Sequence, residues 1–519
     1  MPSVLILYLG QSGISTAGEL KVIKRLDTTY STSEQTATAS ENTSSSKLLL
    51  APSLLTTFKG NRLDASLSIK ESVVKSNDSQ EDQNYSDIRL NSKFDIIENM
   101  LIFTAIGNQS YRSVSQIDNI LNDQLAPDRN LTKTKSFNTG ASFKIPNPIY
   151  FGIELQGTYS KSEASNTINE GESLDTNNDR YIARFYNGKN FNLLSFDFNA
   201  AINKSSRADN SNFDTSLLTA NIGFKVVSDL EVIVRGSSSK YDTNGNANST
   251  FGERNSDSYG AGVRWSPSKD RFIEVSYNTF DESDTNVNYL GGSASWAVSQ
   301  RTKFGFTYDK RFYGDAYKVN LDYNLKSFRS SLSYDESVTS YARTTIDSGQ
   351  VGLFVCPIGS SDFIECFQPS SLDYILEPGE EFRSFSGVTD DITDEIFIRK
   401  NGRLNFSYQK RKIKASLTLG YLRSEYLESE RLQTDKTANV NVDYQAGKKT
   451  NFGASIQFAK RESGDTLTSS SDTVSYNTTV TRKLSQNAKV NAGLRYLERN
   501  SSQGDITDKR LTLGFTYSF

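Results

Sequence analysis

The chain alternates apolar and polar residues from end to end, and this period-two pattern restricts its fold more than any other feature. The unit recurs in pairs of segments, for example at 63–69, 101–107 and 230–238. Alternation of this kind predicts strands with one apolar and one polar face. The sequence therefore predicts an all-β protein.

The composition supports a sheet that is polar on one face. Hydrophobic residues make up 36% of the chain, whereas about 45–50% is usual for soluble domains. That figure alone would suit a disordered chain, but disordered chains lack aromatic residues, and this one has 26 Tyr and 30 Phe. Aromatic residues favour strands and proline is excluded from them, so the presence of only 9 Pro fits the same interpretation.

The connections between the predicted strands are of two kinds. Short turns such as 60–62 and 446–449 alternate with longer polar connections such as 31–46 and 161–179. Short periplasmic turns and long extracellular loops are typical of outer-membrane barrels. Counting gives about 24 strands, with a range of 22 to 26 because 20–30 and 181–187 are weak. We expect a transmembrane antiparallel β-barrel in the outer membrane of a Gram-negative bacterium.

The final strand has the pattern of an assembly signal for such a barrel. Its apolar face consists of Leu511, Leu513, Phe515, Tyr517 and Phe519. We expect this face to contact outer-membrane lipid and the strand to be recognised by the barrel assembly machinery. The strand must then pair with the first strand, since an open sheet edge is not tolerated in lipid.

The N-terminal residues 1–17 suggest a signal peptide. Val4 to Leu9 form a short apolar core, and the small residues Ser15 and Ala17 follow at the spacing of a cleavage site. The positively charged start of a secretory signal is missing, so the alternative is an ordinary N-terminal strand. Residues 18–519 are predicted to form a single barrel domain.

Charged residues occupy the face opposite the apolar stripes and are predicted to line the lumen. The candidates are Glu154, Glu231, Arg235, Lys303, Lys318, Asp322, Lys414, Lys489 and Arg495. They suit a hydrated wall whose charges pair across strands, or a track for a polar polymer. A circular barrel of 24 strands would be on the order of 48 Å wide, which side chains cannot fill.

A long segment, 340–395, is the predicted constriction of that lumen. It combines apolar clusters at 352–355 and 372–376 with Cys356 and Cys366, the only cysteines of the chain. A pair so close together suggests a local disulfide and an oxidising compartment. We expect an extracellular loop that acts as a lid or constriction; the alternative is a disordered extracellular loop.

Several classes of function are disfavoured by what the chain lacks. It contains no His, the usual base of hydrolytic sites and a common zinc ligand. Glycosidase chemistry with two carboxylates stays formally open, but no pair stands out. The net charge of −3, with no basic block, argues against nucleic-acid binding. We expect no enzyme activity, no cofactor and no metal site.

The central part of the chain resembles a known family. The segments are RFYGDAYKVNLDYNLKSFRSSLSYDESVTS (311–340), GAGVRWSPSKDRFIEVSY (260–277) and EIFIRKNGRLNFSYQKRKIKASLTLGYLRSEYLES (395–429). They are similar to outer-membrane β-barrels associated with PEP-CTERM and exopolysaccharide gene clusters. The resemblance implies a link to extracellular polysaccharide, and it carries no catalytic residue.

Two functions follow as expectations. The first is a passive, non-enzymatic channel or scaffold for exopolysaccharide secretion, with polysaccharide and separate periplasmic export proteins as partners. The alternative is a structural or surface-interaction barrel that binds extracellular matrix without transport.

Overall fold

The computed structural model describes most of the predicted barrel. The described residues are 18–38, 40–77, 82–113, 125, 131–164, 174–191, 193–207, 212–244, 254–268, 271–282, 285–340, 352–357, 380–385, 395–464, 469–502 and 504–519. No helix among them is long and apolar enough to cross a membrane.

The described secondary structure consists of strands of 6 to 20 residues. In chain order they are β1 Glu19–Ala37, β2 Ser40–Lys59, β3 Leu63–Ser76, β4 Gln83–Ile97, β5 Leu101–Ser113, β6 Leu131–Lys144, β7 Phe151–Ala164, β8 Leu174–Asn187, β9 Leu194–Ser206, β10 Asn212–Val227, β11 Leu230–Asn244, β12 Arg254–Ser268, β13 Arg271–Glu282, β14 Thr285–Ser299, β15 Thr302–Arg311, β16 Gly314–Leu325, β17 Phe328–Ser340, β18 Gly352–Pro357, β19 Glu380–Phe385, β20 Ile396–Lys410, β21 Ile413–Tyr426, β22 Leu432–Gln445, β23 Thr450–Gly464, β24 Ser469–Lys483, β25 Ala488–Ser501 and β26 Ile506–Ser518.

Twenty-four of these strands form one closed antiparallel ring. Each pairs with its neighbour in the chain, and β1 closes the ring on β26 from Arg25↔Ser518 to Ala37↔Ile506. β17 pairs directly with β20, so the segment between them leaves the ring and returns to it. β18 and β19 form a separate two-stranded sheet within that segment. The predicted count of 24 barrel strands is confirmed.

The outer face of the ring is apolar and exposed, as contact with lipid requires. On β26, Leu511, Leu513 and Phe515 are exposed, whereas Thr512 and Thr516, on the opposite face, are buried. The same alternation recurs around the ring, with Val232 and Val234 exposed on β11 and Ile233 buried between them. A closed ring satisfies the backbone hydrogen bonds of every barrel strand in lipid, because it leaves no free edge there. The protein is an outer-membrane β-barrel.

The prediction of a long connection at 31–46 is wrong. β1 runs to Ala37 and β2 starts at Ser40, so residues 38 and 39 alone join the two strands. The segment is rich in Ser and Thr, a composition that is typical of loops. Small hydroxyl residues are compatible with a ladder, and here Thr32 to Gln35 pair with β2 on one side and β26 on the other.

The connection predicted at 161–179 is also shorter than expected. β7 continues to Ala164 and β8 starts at Leu174. Polar residues such as Lys161 and Asp175 extend the ladder beyond the apolar band, where water solvates their side chains. The sequence pattern therefore marked the edge of the membrane rather than the end of the strands.

Three of the predictions fall outside the described residues. These are the signal peptide at 1–17, most of the 340–395 loop, and the disulfide, since Cys366 and the side chain of Cys356 are not described. They stay predictions.

Candidate functional site

The ring has two ends with different connections. We call the end that carries the connections 114–130 and 341–395 the outer mouth, and the end with turns such as 60–62 and 326–327 the inner mouth. In outer-membrane barrels, short turns face the periplasm. The candidate site is the lumen between the two mouths.

Charged pairs cover the inward wall near the inner mouth. Glu154 on β7 lies 2.6 Å from Lys144 Nζ, and a weaker contact of 3.8 Å joins it to Arg184. Glu231 on β11 lies 3.6 Å from Arg264 of β12. Such half-exposed pairs add little stability each, and they leave the wall wet and close to neutral.

Other predicted lumen residues lie in the same zone. Lys303 and Asp322 are register partners on β15 and β16, and both are exposed on the face opposite Phe304 and Leu321. The remaining members are Lys318, which is exposed, Lys414, which is the register partner of Asp443, and Lys489, which is half-buried. Their role in the lumen stays a prediction.

Arg235 and Arg495 lie further toward the outer mouth and are paired and well covered. Arg495 donates to Asp508 of β26, and both side chains are buried. Arg235 Nη2 lies 3.3 Å from Asp309 Oδ2 on β15. Tyr289 of β14 also donates to Asp309, at 2.6 Å.

The Arg235–Asp309 contact shows that the wall curves tightly between β11 and β15. These strands are four positions apart in the ring. In a circular barrel of 24 strands they would be ~24 Å apart, far beyond the combined reach of an Arg and an Asp side chain. The lumen is therefore narrower here than a circular cross-section implies.

Uncharged hydroxyl and amide side chains dominate the inward face of the outer half. They come from most parts of the ring and are buried: Ser31, Ser45, Ser72, Thr134, Ser162, Asn178, Asn203, Ser239, Ser258, Asn278, Ser424, Gln433, Ser463, Ser471, Asn477 and Thr512. Closed ion pairs such as Arg461–Asp435 interrupt this set. We call these residues the hydroxyl-amide belt.

Several belt atoms have no hydrogen-bond partner in the part of the chain that the structure describes. They are Ser72 Oγ, Ser162 Oγ, Asn178 Oδ1, Asn203 Oδ1, Ser424 Oγ, Ser463 Oγ, Ser471 Oγ and Asn477 Oδ1. A buried polar atom without a partner is costly. Because these atoms are buried, a polar guest would reach them only where the inward faces of the wall separate.

An ion pair crosses the outer mouth. Arg207 directly follows β9, and Glu428 lies two residues after the end of β21. Arg207 Nη2 lies 2.6 Å from Glu428 Oε1. The two strands are ten positions apart in the ring of 24, so they are almost opposite. The side chain of Arg207 is only 4% exposed. This contact joins two sides of the mouth directly.

A hydrophobic cluster connects the same sides. Phe213 of β10 is buried together with Val338 of β17 and with Ile396 and Ile398 of β20. Tyr241, Phe312, Tyr313 and Leu427 pack against this cluster from the surrounding connections and strand ends. Phe213 and Ile396 come from strands eight positions apart. We call this set, with Arg207 and Glu428, the mouth closure.

A second apolar contact lies against the inward face of β2 to β4. Leu125, from the connection between β5 and β6, is 1% exposed and packs with Leu49, Val74 and Tyr85. Lys47 Nζ donates to the carbonyl oxygen of Leu125 at 3.3 Å. Leu125 is thereby anchored against the inward wall.

Burial shifts the ionisation of groups at the mouth closure. It raises the pKa of Glu395, which accepts a hydrogen bond from Ser429 Oγ at 2.7 Å. Burial also raises the pKa of Tyr313 above the ordinary value of a phenol.

Sequence reasoning missed the closure residues. Arg207 and Glu428 are 221 residues apart in the chain, and nothing in the local pattern of either predicts the other. For Leu125 a signal existed, because Ile120, Leu121 and Leu125 are apolar residues within a polar connection. Among the described residues, no group of three or more His, Cys, Asp or Glu side chains is placed to hold a metal ion.

Comparisons with known proteins give likenesses of structure only. No family model matches the chain, and no curated protein matches it. The FrpB iron transporter from Neisseria meningitidis is similar with 9% identity and a TM-score of 0.43, over 96% of this chain and 81% of that one. The siderophore receptor PirA from Pseudomonas aeruginosa has 10% identity and a TM-score of 0.36, over 96% and 80%. A loop L8 deletion mutant of OmpT, an outer membrane protein of Vibrio cholerae, has 10% identity and a TM-score of 0.30, over 97% and 100%. At these values the likenesses carry no argument about what this chain does.

Proposed function

We propose that the barrel is a passive, non-enzymatic conduit for exopolysaccharide, held shut at its outer mouth until a polymer passes. The observation that carries the proposal is the hydroxyl-amide belt, whose buried hydroxyl and amide groups face inward around much of the outer half and would line a passage once the wall separates there. A neutral polysaccharide presents hydroxyl groups that donate to and accept from such atoms. The paired charges nearer the inner mouth keep that entry wet without attracting ions of one sign.

The alternative is a barrel that binds extracellular matrix without transport. The mouth closure favours it, because contacts between strands eight and ten positions apart obstruct the outer mouth. The two functions differ in whether opening this closure creates a passage for sugars. That difference defines the experiment.

The test compares the parent protein with Arg207→Ala in proteoliposomes. We expect the variant to release a neutral dextran oligomer faster than the parent does. We also expect it to release a sulfated dextran of the same length more slowly than the neutral one. The uncharged side chains of the belt cannot replace the water that the sulfate groups would lose on entry. A deletion strain should secrete less exopolysaccharide, and the parent gene should restore secretion. Passage of ions without either dextran, together with normal secretion by the deletion strain, would favour the matrix-binding alternative.

A further inference from the structure

Two neighbouring connections at the inner mouth carry large apolar side chains that are exposed. They are residues 145–150, between β6 and β7, and residues 188–193, between β8 and β9. The exposed side chains are Ile149 (57%), Tyr150 (62%), Phe191 (40%) and Leu193 (82%). We call these four residues the apolar rim.

The rim differs from other connections at the same mouth. Residues 411–412 are Arg and Lys, and residues 446–449 end in two Lys residues. Charged turns of this kind suit contact with periplasmic water, whereas contiguous exposed apolar side chains mark a surface that another apolar body covers.

Hydrogen bonds hold the two connections against each other. β7 and β8 pair down to their inner ends, and the pairing continues into the connections. The N–H of Gly188 donates to the carbonyl of Tyr150 at 2.7 Å, and that of Asn190 donates to the carbonyl of Ile149 at 2.9 Å. A Cβ atom at Gly188 would lie 2.5 Å from the Ile149 carbonyl, so the close approach requires glycine. The rim is therefore an ordered surface.

The backbone around the rim makes further internal hydrogen bonds. The N–H of Lys189 donates to the carbonyl of Pro148 at 3.2 Å, and the N–H of Lys225 donates to that of Leu193 at 3.0 Å. Pro146 and Pro148 have no N–H to satisfy. In water the solvent can satisfy such groups, whereas at the boundary with lipid internal hydrogen bonds lower the cost of leaving water.

Aromatic contacts join the rim to the lipid-facing surface of the barrel. The ring of Phe191 packs edge-on against Phe196, with centroids 5.6 Å apart, and Phe196 stacks on Phe185 at 5.1 Å. Phe185 is 41% exposed on the outer face of β8. Aromatic side chains are enriched where a membrane meets water. The rim thus continues the surface that contacts lipid.

We propose that the apolar rim is embedded in the inner leaflet of the outer membrane and binds phospholipid at the level of the glycerol and head groups. Ile149 and Leu193 contact the upper parts of the acyl chains. Lys189, which is exposed between the two sides of the rim, extends its ammonium group to the lipid phosphates. The inference concerns a lipid partner and is independent of what passes through the lumen.

The test measures which medium surrounds the rim, with the full barrel in phospholipid vesicles that contain no other protein. A nitroxide label is attached at Leu193→Cys in a Cys356→Ser, Cys366→Ser background. Its relaxation is compared in the presence of oxygen, which dissolves in lipid, and of a nickel chelate, which stays in water. We expect oxygen to relax this label more strongly than nickel does. A label at Lys448→Cys, exposed at the same mouth, is the matched control and should show the reverse order.

A label at Ile149→Cys provides the second readout and should behave like the label at Leu193. If the labels at both rim positions are relaxed by nickel as strongly as the label at Lys448, the rim faces water and the proposal fails, since a protein would then be the occupant. Dipolar broadening between rim labels of two barrels would overturn it too, because a second copy would then cover the rim.

Discussion

Arg207 and Glu428 form a mostly buried ion pair between opposite sides of the outer mouth. Removing one partner of a buried pair costs about 3 kcal/mol or more, which corresponds to roughly a hundredfold change in the ratio of open to closed states. We expect Arg207→Glu to increase the open probability in planar bilayers by about that factor. The double variant Arg207→Glu, Glu428→Arg should restore the closed state, because it rebuilds the pair with reversed polarity.

Lys204→Glu is the matched control for this pair, since Lys204 lies on β9, three residues before Arg207, but is exposed on the outer face. It should leave the conductance unchanged. If Arg207→Glu conducts no more than Lys204→Glu, the ion pair does not hold the mouth shut.

At the scale of the element, the last strand ends on an exposed aromatic residue, and the backbone of that residue helps to close the ring. Phe519 is 70% exposed, and its backbone N–H bonds Lys24 of β1. Deleting Phe519 removes both the aromatic side chain and this bond, so we expect markedly less folded protein in the outer membrane, measured as the heat-modifiable band on gels. Leu484→Ala changes a turn residue that is 50% exposed and should assemble normally. Normal assembly without Phe519 would show that its terminal aromatic residue is not an assembly signal.

The strands differ in how far the sequence predicted them. β26 could be recognised from its alternation alone, because a strand with one face in lipid has an apolar residue at every second position. The outer ends of β1 and β2 could not, since above the apolar band both faces are polar and the alternation disappears. The pairing of Arg207 with Glu428 was beyond prediction for another reason: it depends on how the whole ring bends, and no local pattern records that.

At the scale of the whole molecule, the ring is closed by hydrogen bonds around its wall and is crossed by side-chain contacts at its outer mouth. A circular ring would leave a wide pore. The contacts of Arg235 with Asp309, and of Phe213 with the β17–β20 cluster, require a cross-section that is bent instead. The barrel therefore supplies part of its own constriction from wall residues.

The distance across the outer mouth tests this account most directly. Spin labels at Ser206→Cys and Glu430→Cys, in a Cys356→Ser, Cys366→Ser background, flank the Arg207–Glu428 pair and can be measured by double electron–electron resonance in lipid. A bent ring with a shut mouth predicts a separation on the order of 20 Å, whereas a circular barrel would place these positions ~46 Å apart. A narrow distribution near the shorter distance is the result that we predict. A distribution centred near the longer distance would contradict the mouth closure.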